Sequence, residues 1–160
     1  HVVVTGGEPL LQPDVVPFTH ALCDAGRFVT IETAGTVFRP VHADLMSISP
    51  KRPNSTPRGD RWELRHEQLR DNRDVLARFV REFPYQLKYV VDQPEDLADV
   101  EEHLRQVPGV DSDRVFLMPQ ATEAEELHRK MQWIEAEACE RGYRVSPRLH
   151  IEMFGNVRGT

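Results

Sequence analysis

Residues suited to binding and acid–base chemistry recur in this chain where short apolar runs end. The first run, Val2-Val3-Val4, leads into Thr5-Gly6-Gly7-Glu8-Pro9. Gly6 and Gly7 lack a Cβ, so a ligand can approach their backbone closely, and free amides and carbonyls there suit a zwitterionic group such as an amino acid's ammonium. Glu8 adds an acceptor beside them. A tight strand-to-helix turn with no ligand fits the same residues. It is not a phosphate loop, because the G-x-x-x-x-G-K-[ST] pattern is missing. Glu32-Thr33 ends a second run and Ser49-Pro50-Lys51 a third. A lysine at such a position pairs with carboxylates, and a hydroxyl bonds to a ribose or a carboxylate; ordinary polar strand ends would look alike. Met118-Pro119-Gln120 is expected to hold backbone groups out of a sheet ladder, where they can read an adenine edge. His150 falls in a final strand pattern, where a lone histidine is either a core residue or a site residue. The seven histidines show no H-E-x-x-H spacing, and Cys23 and Cys139 form no C-x-x-C pair, so no zinc site is readable.

The elements that must carry these residues alternate. Apolar runs at 2–4, 28–32, 45–48, 85–91 and 115–118 predict strands, and a sixth is expected near 149–153. Between them a helix is expected after Pro13 with Val16, His20 and Cys23 on one face, ended by Gly26. Further helices are predicted over 68–83, from Pro94 with Leu97, Val100 and Leu104 inward, and over 124–141 with Leu127, Met131, Ile134 and Ala138 in register. The stretch between the second and third strands carries no convincing helix. Strands alternating with helices imply parallel pairing through right-handed crossovers. The fold class is therefore α/β, a partial (β/α) barrel with about six parallel strands and its site at the strands' C-terminal ends. A doubly wound open sheet has the same periodicity.

Composition bounds the function. A chain of 160 residues with 39% hydrophobic and 29% charged residues is a single globular domain rather than a disordered segment. A net charge of −6 argues against a broad nucleic-acid surface, and no apolar run approaches the roughly 20 residues of a membrane span. Lys51, Arg52, Arg58 and Arg61, set among Pro50, Pro53, Pro57 and Gly59, are expected to form a solvated basic loop. Cys23 and Cys139 are expected to be buried small hydrophobes, with no disulfide framework and a cytoplasmic setting. Because His1 opens directly onto an apolar run without a signal peptide, the natural N-terminus is expected upstream.

Taken in order, the motifs are more specific than any one of them. Thr5-Gly6-Gly7-Glu8-Pro9-Leu10-Leu11-Gln12 resembles the glycine-rich motif of radical S-adenosylmethionine enzymes. It is followed by Ile31-Glu32-Thr33-Ala34-Gly35-Thr36, Ser47-Ile48-Ser49-Pro50-Lys51, Gln86-Leu87-Lys88-Tyr89-Val90-Val91, Phe116-Leu117-Met118-Pro119-Gln120, Leu149-His150 and Phe154-Gly155-Asn156-Val157-Arg158-Gly159-Thr160. The series resembles the 7-carboxy-7-deazaguanine synthase family and covers nearly all of the chain.

That resemblance implies a lyase that turns 6-carboxy-5,6,7,8-tetrahydropterin into 7-carboxy-7-deazaguanine with loss of ammonia, on the route to 7-deazapurines such as queuosine. It implies a reduced 4Fe-4S cluster that cleaves S-adenosylmethionine to a radical, Mg2+ assisting the ring contraction, an electron donor such as flavodoxin or ferredoxin, and a homodimer. The protein's part is to position groups whose chemistry the cofactor carries. S-adenosylmethionine contacts are implied for Gly6, Gly7, Glu8, Ser49, Pro50, Lys51, Met118, Pro119, Gln120 and Ala121. Pterin contacts are implied for Thr5, His150 and Thr160, the last through a terminal carboxylate. The family's cluster cysteines and magnesium ligand precede the glycine motif and are not among these residues, so residues 1–160 are expected to form the core domain without its cluster-binding segment and to be inactive alone. Two other readings stand beside this one: another radical S-adenosylmethionine enzyme such as a glycyl-radical activase, and a non-catalytic nucleoside-binding or dimerisation module.

Overall fold

The computed structural model describes residues 1–56, 59, 61, 64 and 70–155, apart from the side chain of His150. Its strands are β1 (Val2–Val4), β2 (Val29–Thr33), β3 (Leu45–Ile48), β4 (Tyr85–Val91), β5 (Val115–Pro119) and β6 (Arg144–Val145). The described helices are α1 (Val15–Asp24), α2 (Arg73–Glu82), α3 (Asp96–Arg105), α4 (Ala124–Arg141) and α5 (Leu149–Phe154), with short 3-10 turns at Pro9–Leu11, Pro53–Ser55 and Ser112–Arg114. All six strands pair in parallel, in the order β1-β2-β3-β4-β5-β6.

That order decides between the two expected folds. A doubly wound sheet reverses its strand order at a switch point. Here each strand lies beside the next with no reversal, so right-handed crossovers bring α1 to α4 to one face, the progression of a (β/α) barrel. Strand alternation then separates two surfaces. Along β4, Tyr85, Leu87, Tyr89 and Val91 are buried while Gln86, Lys88 and Val90 are half-buried. The buried set joins Ile31, Met46 and Ile48 in one core with Leu76, Phe79 and Val80 of α2, Leu97 and Val100 of α3, and Ile134 and Ala138 of α4. The opposite face is polar at its centre: Glu32, Ser47 and Gln86 lie side by side in register.

Several expectations are corrected. The sixth strand is Arg144–Val145, and the apolar alternation at 149–153 folds as helix α5, where Ile151 is buried but Leu149 and Met153 are exposed. Helix α2 begins at Arg73, not 68, because Asn72 caps it by accepting from the Val75 amide at 3.3 Å; residues 65–69 lie outside the described residues. In α1 the core face is Val15 and Thr19, and His20 is exposed. Cys23 is only half-buried and Cys139 is exposed, so neither is a core residue. No helix among the described residues is long and apolar enough to cross a membrane.

Candidate active site at the strand ends

Thr5, Gly7, Glu32, Thr33, Ala34, Ser47, Ser49, Lys51 and Lys88 line one open crevice at the C-terminal ends of β1 to β4. The chain enters it through a left-handed turn, with φ of +99° at Gly6 and +55° at Gly7. A Cβ built on either glycine would meet no atom of the chain, so it is the backbone conformation that requires glycine here. The turn is braced by Glu8. One carboxylate oxygen accepts from the Thr33 hydroxyl at 2.8 Å and the Leu10 amide at 3.2 Å, and the other accepts from the Ala34 amide at 2.8 Å. Glu8 is thus a clamp between the first and second strand ends rather than an open acceptor beside the glycines, and Gly6 faces a neighbouring hollow lined by Val4, Pro9, Val15 and Phe18.

Charge in the crevice centres on Glu32. Lys88 Nζ donates to one of its oxygens at 3.2 Å, and the Thr5 hydroxyl donates to the other at 3.0 Å. Partial burial acts to raise the Glu32 pKa, but the Lys88 ammonium and the two hydrogen bonds outweigh it and hold the carboxyl below its usual range. A depressed carboxylate pKa contributes stability that is present above the unfolded value and is lost as pH falls through the folded value. Glu32→Gln is therefore expected to lower the urea midpoint at pH 7, and the difference from the parent protein is expected to shrink as pH falls below the ordinary glutamate value and to vanish once Glu32 is protonated in the folded protein. The effect is small, because solvent reaches the pair. A difference independent of pH would assign the loss to shape rather than charge.

Ser49 joins the crevice through its amide, which donates to the Thr33 carbonyl at 2.8 Å, and its hydroxyl, which donates to the Lys88 carbonyl at 3.1 Å. Next to it Pro50 is buried and Lys51 is exposed on the crevice wall. The basic loop expected around Lys51 is not uniformly solvated: Arg52 is 8% exposed and grips Asp99 through two hydrogen bonds of 2.7 and 2.9 Å. Pro57 and Arg58 lie outside the described residues.

The other expected binding segment lies apart from this crevice. Pro119 closes β5 opposite Val91, and the Gln120 amide donates to the Val91 carbonyl at 2.8 Å, so the ladder continues where free backbone groups were expected. The Gln120 carbonyl accepts from Lys130 at 2.6 Å and the Ala121 carbonyl from Arg148 at 3.0 Å. His150 sits in α5 instead of a strand, and Thr160 lies outside the described residues. Sequence reading meets Ser47, Gln86 and Lys88 only within the family series and gives none of them a role, although Gln86 donates to the Ser47 hydroxyl at 2.9 Å and Lys88 to Glu32. The available signal was the polar residue at every second position in Gln86-Leu87-Lys88, which marks a strand with one wet face.

No family model matches the chain. Over its whole length the chain is 40% identical to 7-carboxy-7-deazaguanine synthase of Rhodopirellula baltica, covering 63% of that protein. It is 37% identical to 7-carboxy-7-deazaguanine synthase of Halobacterium salinarum, again over its whole length and covering 67% of the relative. The chain thus spans about two thirds of the length of these curated relatives. In fold it resembles QueE from Escherichia coli, with a TM-score of 0.65 over 92% of this chain and 56% of that one, at 24% identity.

Proposed function

The chain belongs to the 7-carboxy-7-deazaguanine synthase family, and from that premise we propose that its crevice holds the amino-acid end of S-adenosylmethionine within a radical lyase acting on 6-carboxy-5,6,7,8-tetrahydropterin. The observation that carries this reading is the convergence of Gly7, Ser49, Lys51 and the Glu32–Lys88 pair at four adjacent strand ends. Bound there, the cofactor supplies the radical chemistry. The chain's own residues supply position and charge. Lys51 pairs with the cofactor's carboxylate, the Gly6-Gly7 turn faces its ammonium, and Glu32, kept ionised by Lys88, presents an acceptor to N–H donors of a pterin. On the family pattern Met118–Ala121, outside the crevice, lie toward the adenine, and Thr5, His150 and Thr160 join the pterin side.

The described residues fit that amino-acid end and do not fit the cluster. Among them no three His, Cys, Asp or Glu side chains are grouped to hold a metal ion, and Cys23 and Cys139 sit on separate helices, α1 and α4. The reading extends to the whole enzyme's setting: loss of ammonia to give 7-carboxy-7-deazaguanine, on a 7-deazapurine route such as that to queuosine, in a cytoplasmic homodimer served by a small electron donor. The named relatives favour neither a glycyl-radical activase nor a non-catalytic module.

Calorimetry with S-adenosylmethionine tests the site. Lys51→Ala removes a charge-assisted contact of about 1.5–3 kcal/mol and is expected to weaken binding by about 10- to 100-fold. Unchanged affinity would make Lys51 a loop residue and overturn the assignment of the crevice.

A further inference from the structure

Directly behind Lys51 lies a buried polar chain that joins four parts of the fold. The Tyr89 hydroxyl of β4, fully buried, meets His103 Nδ1 of α3 at 2.8 Å, and His103 Nε2 meets Asp71 Oδ1, ahead of α2, at 3.2 Å. Burial, reinforced by the nearby Arg52 guanidinium, lowers the His103 pKa against the pull of Asp71 and so favours the neutral imidazole. The direction of the chain follows: Tyr89 donates to Nδ1, and Nε2–H donates to the Asp71 carboxylate. The other Asp71 oxygen lies 3.8 Å from Arg52 Nη1, a buried nitrogen without a hydrogen-bond partner among the described residues, while Arg52 Nε and Nη2 bind Asp99 as a fork. Asp99 and His103 are one turn apart on α3, so a single helix face supplies two members of the network.

This is a costly arrangement to bury, and its location gives it a use. The segment after β3 is tied down on both sides of Lys51. Ser49 is bonded to β2 and β4 on one side, and on the other Arg52 is forked to α3 and Asn54 donates to the Val90 carbonyl and to Asp96, each at 3.0 Å. Lys51 itself is the exposed residue between these anchors. We infer that Arg52 is a positioning residue, which through Asp99 and the Tyr89–His103–Asp71 chain holds Lys51 at the crevice wall in the orientation that meets the cofactor's carboxylate. The inference rests on the site reading above.

Its test is a double-mutant cycle on the protein, read by calorimetry with S-adenosylhomocysteine and by amide hydrogen exchange across residues 49–56. Arg52→Met keeps the apolar stem and removes the fork. It is expected to weaken binding about tenfold in the parent protein and to have no further effect in a Lys51→Ala background, because Arg52 acts through Lys51. Exchange across 49–56 is expected to quicken while the amides of β1 and β2 keep their protection. Asp99→Asn, which breaks the same fork from the helix side, is expected to reproduce both changes if Arg52→Met folds poorly. A purely structural arginine gives losses that add in the double variant, and that result overturns the inference, as does unchanged exchange in both variants. If Lys51→Ala alone leaves binding unchanged, the site reading fails and Arg52 loses its role toward the cofactor. Faster exchange in Arg52→Met would then show separately that it anchors the segment.

Discussion

Glu8→Ala is expected to destabilise the fold by about 3 kcal/mol, measured as a fall in unfolding free energy in urea. Three donors converge on this carboxylate: the Thr33 hydroxyl, the Ala34 amide and the Leu10 amide. Hydrogen bonds to a charged acceptor contribute about 1.5–3 kcal/mol each, but three on one side chain are strongly coupled and their separate values do not add. The cost is set by what is left behind. Thr33 is 5% exposed and Leu10 is fully buried, so donors deprived of their acceptor are poorly placed to find water. Glu8→Gln separates charge from shape. Its amide oxygen serves the donors on one side, while its NH2 group faces a donor on the other, giving an expected loss of about half that of alanine. Equal stability of Glu8→Gln and the parent protein would show that the side chain rotates freely in the turn and does not clamp it.

The Glu8 clamp shows what the sequence makes legible and what it hides. Five strands were readable because each is an apolar run: the helix-facing residues of β2 to β5 fill the core, and Val4 of β1 packs against it. The sixth was not, because Arg144–Val145 contributes a single apolar residue, and Arg144 is held from outside by Asp113. The spacing of Leu149, Ile151 and Met153 imitates a strand, yet only Ile151 is buried, so the alternation there reflects no packed face. At the site, Gly6-Gly7 and Ser49-Pro50-Lys51 could be found because each is contiguous in sequence. Contacts made by folding were invisible: Glu32 and Lys88 are separated by 56 positions, and Arg52 finds Asp99 after 47. A cluster of basic residues in a Pro-rich stretch reads as solvated until the helix that neutralises one of them is in place.

The turn on the far side of the Glu8 clamp yields the second large effect. Gly35 has φ of +76°, and a Cβ built there would stand 2.7 Å from Ile48 Cγ2, a fully buried atom of β3, and 3.5 Å from Leu76 Cδ1. Two costs therefore act together in Gly35→Ala. The left-handed backbone costs an L-residue about 1 kcal/mol, and forcing a methyl into a packed core costs about 1–3 kcal/mol more. The expected loss is about 3 kcal/mol, visible as a lower urea midpoint with an unchanged slope. The turn is not free to relax: the Gly35 amide donates to Thr33 Oγ1 at 3.0 Å, and Thr33 and Ala34 are both bound to Glu8. Ile48→Leu moves the branch from Cβ to Cγ and removes the clashing methyl. Adding it to Gly35→Ala is expected to recover the steric part and leave the backbone part, about 1 kcal/mol, in place. A single Gly35→Ala variant that loses less than about 1 kcal/mol would mean that the turn shifts to a negative φ at no expense. Thr33 and Ala34 line the crevice, so such a shift would also move its wall and should then appear as altered cofactor affinity at nearly unchanged stability.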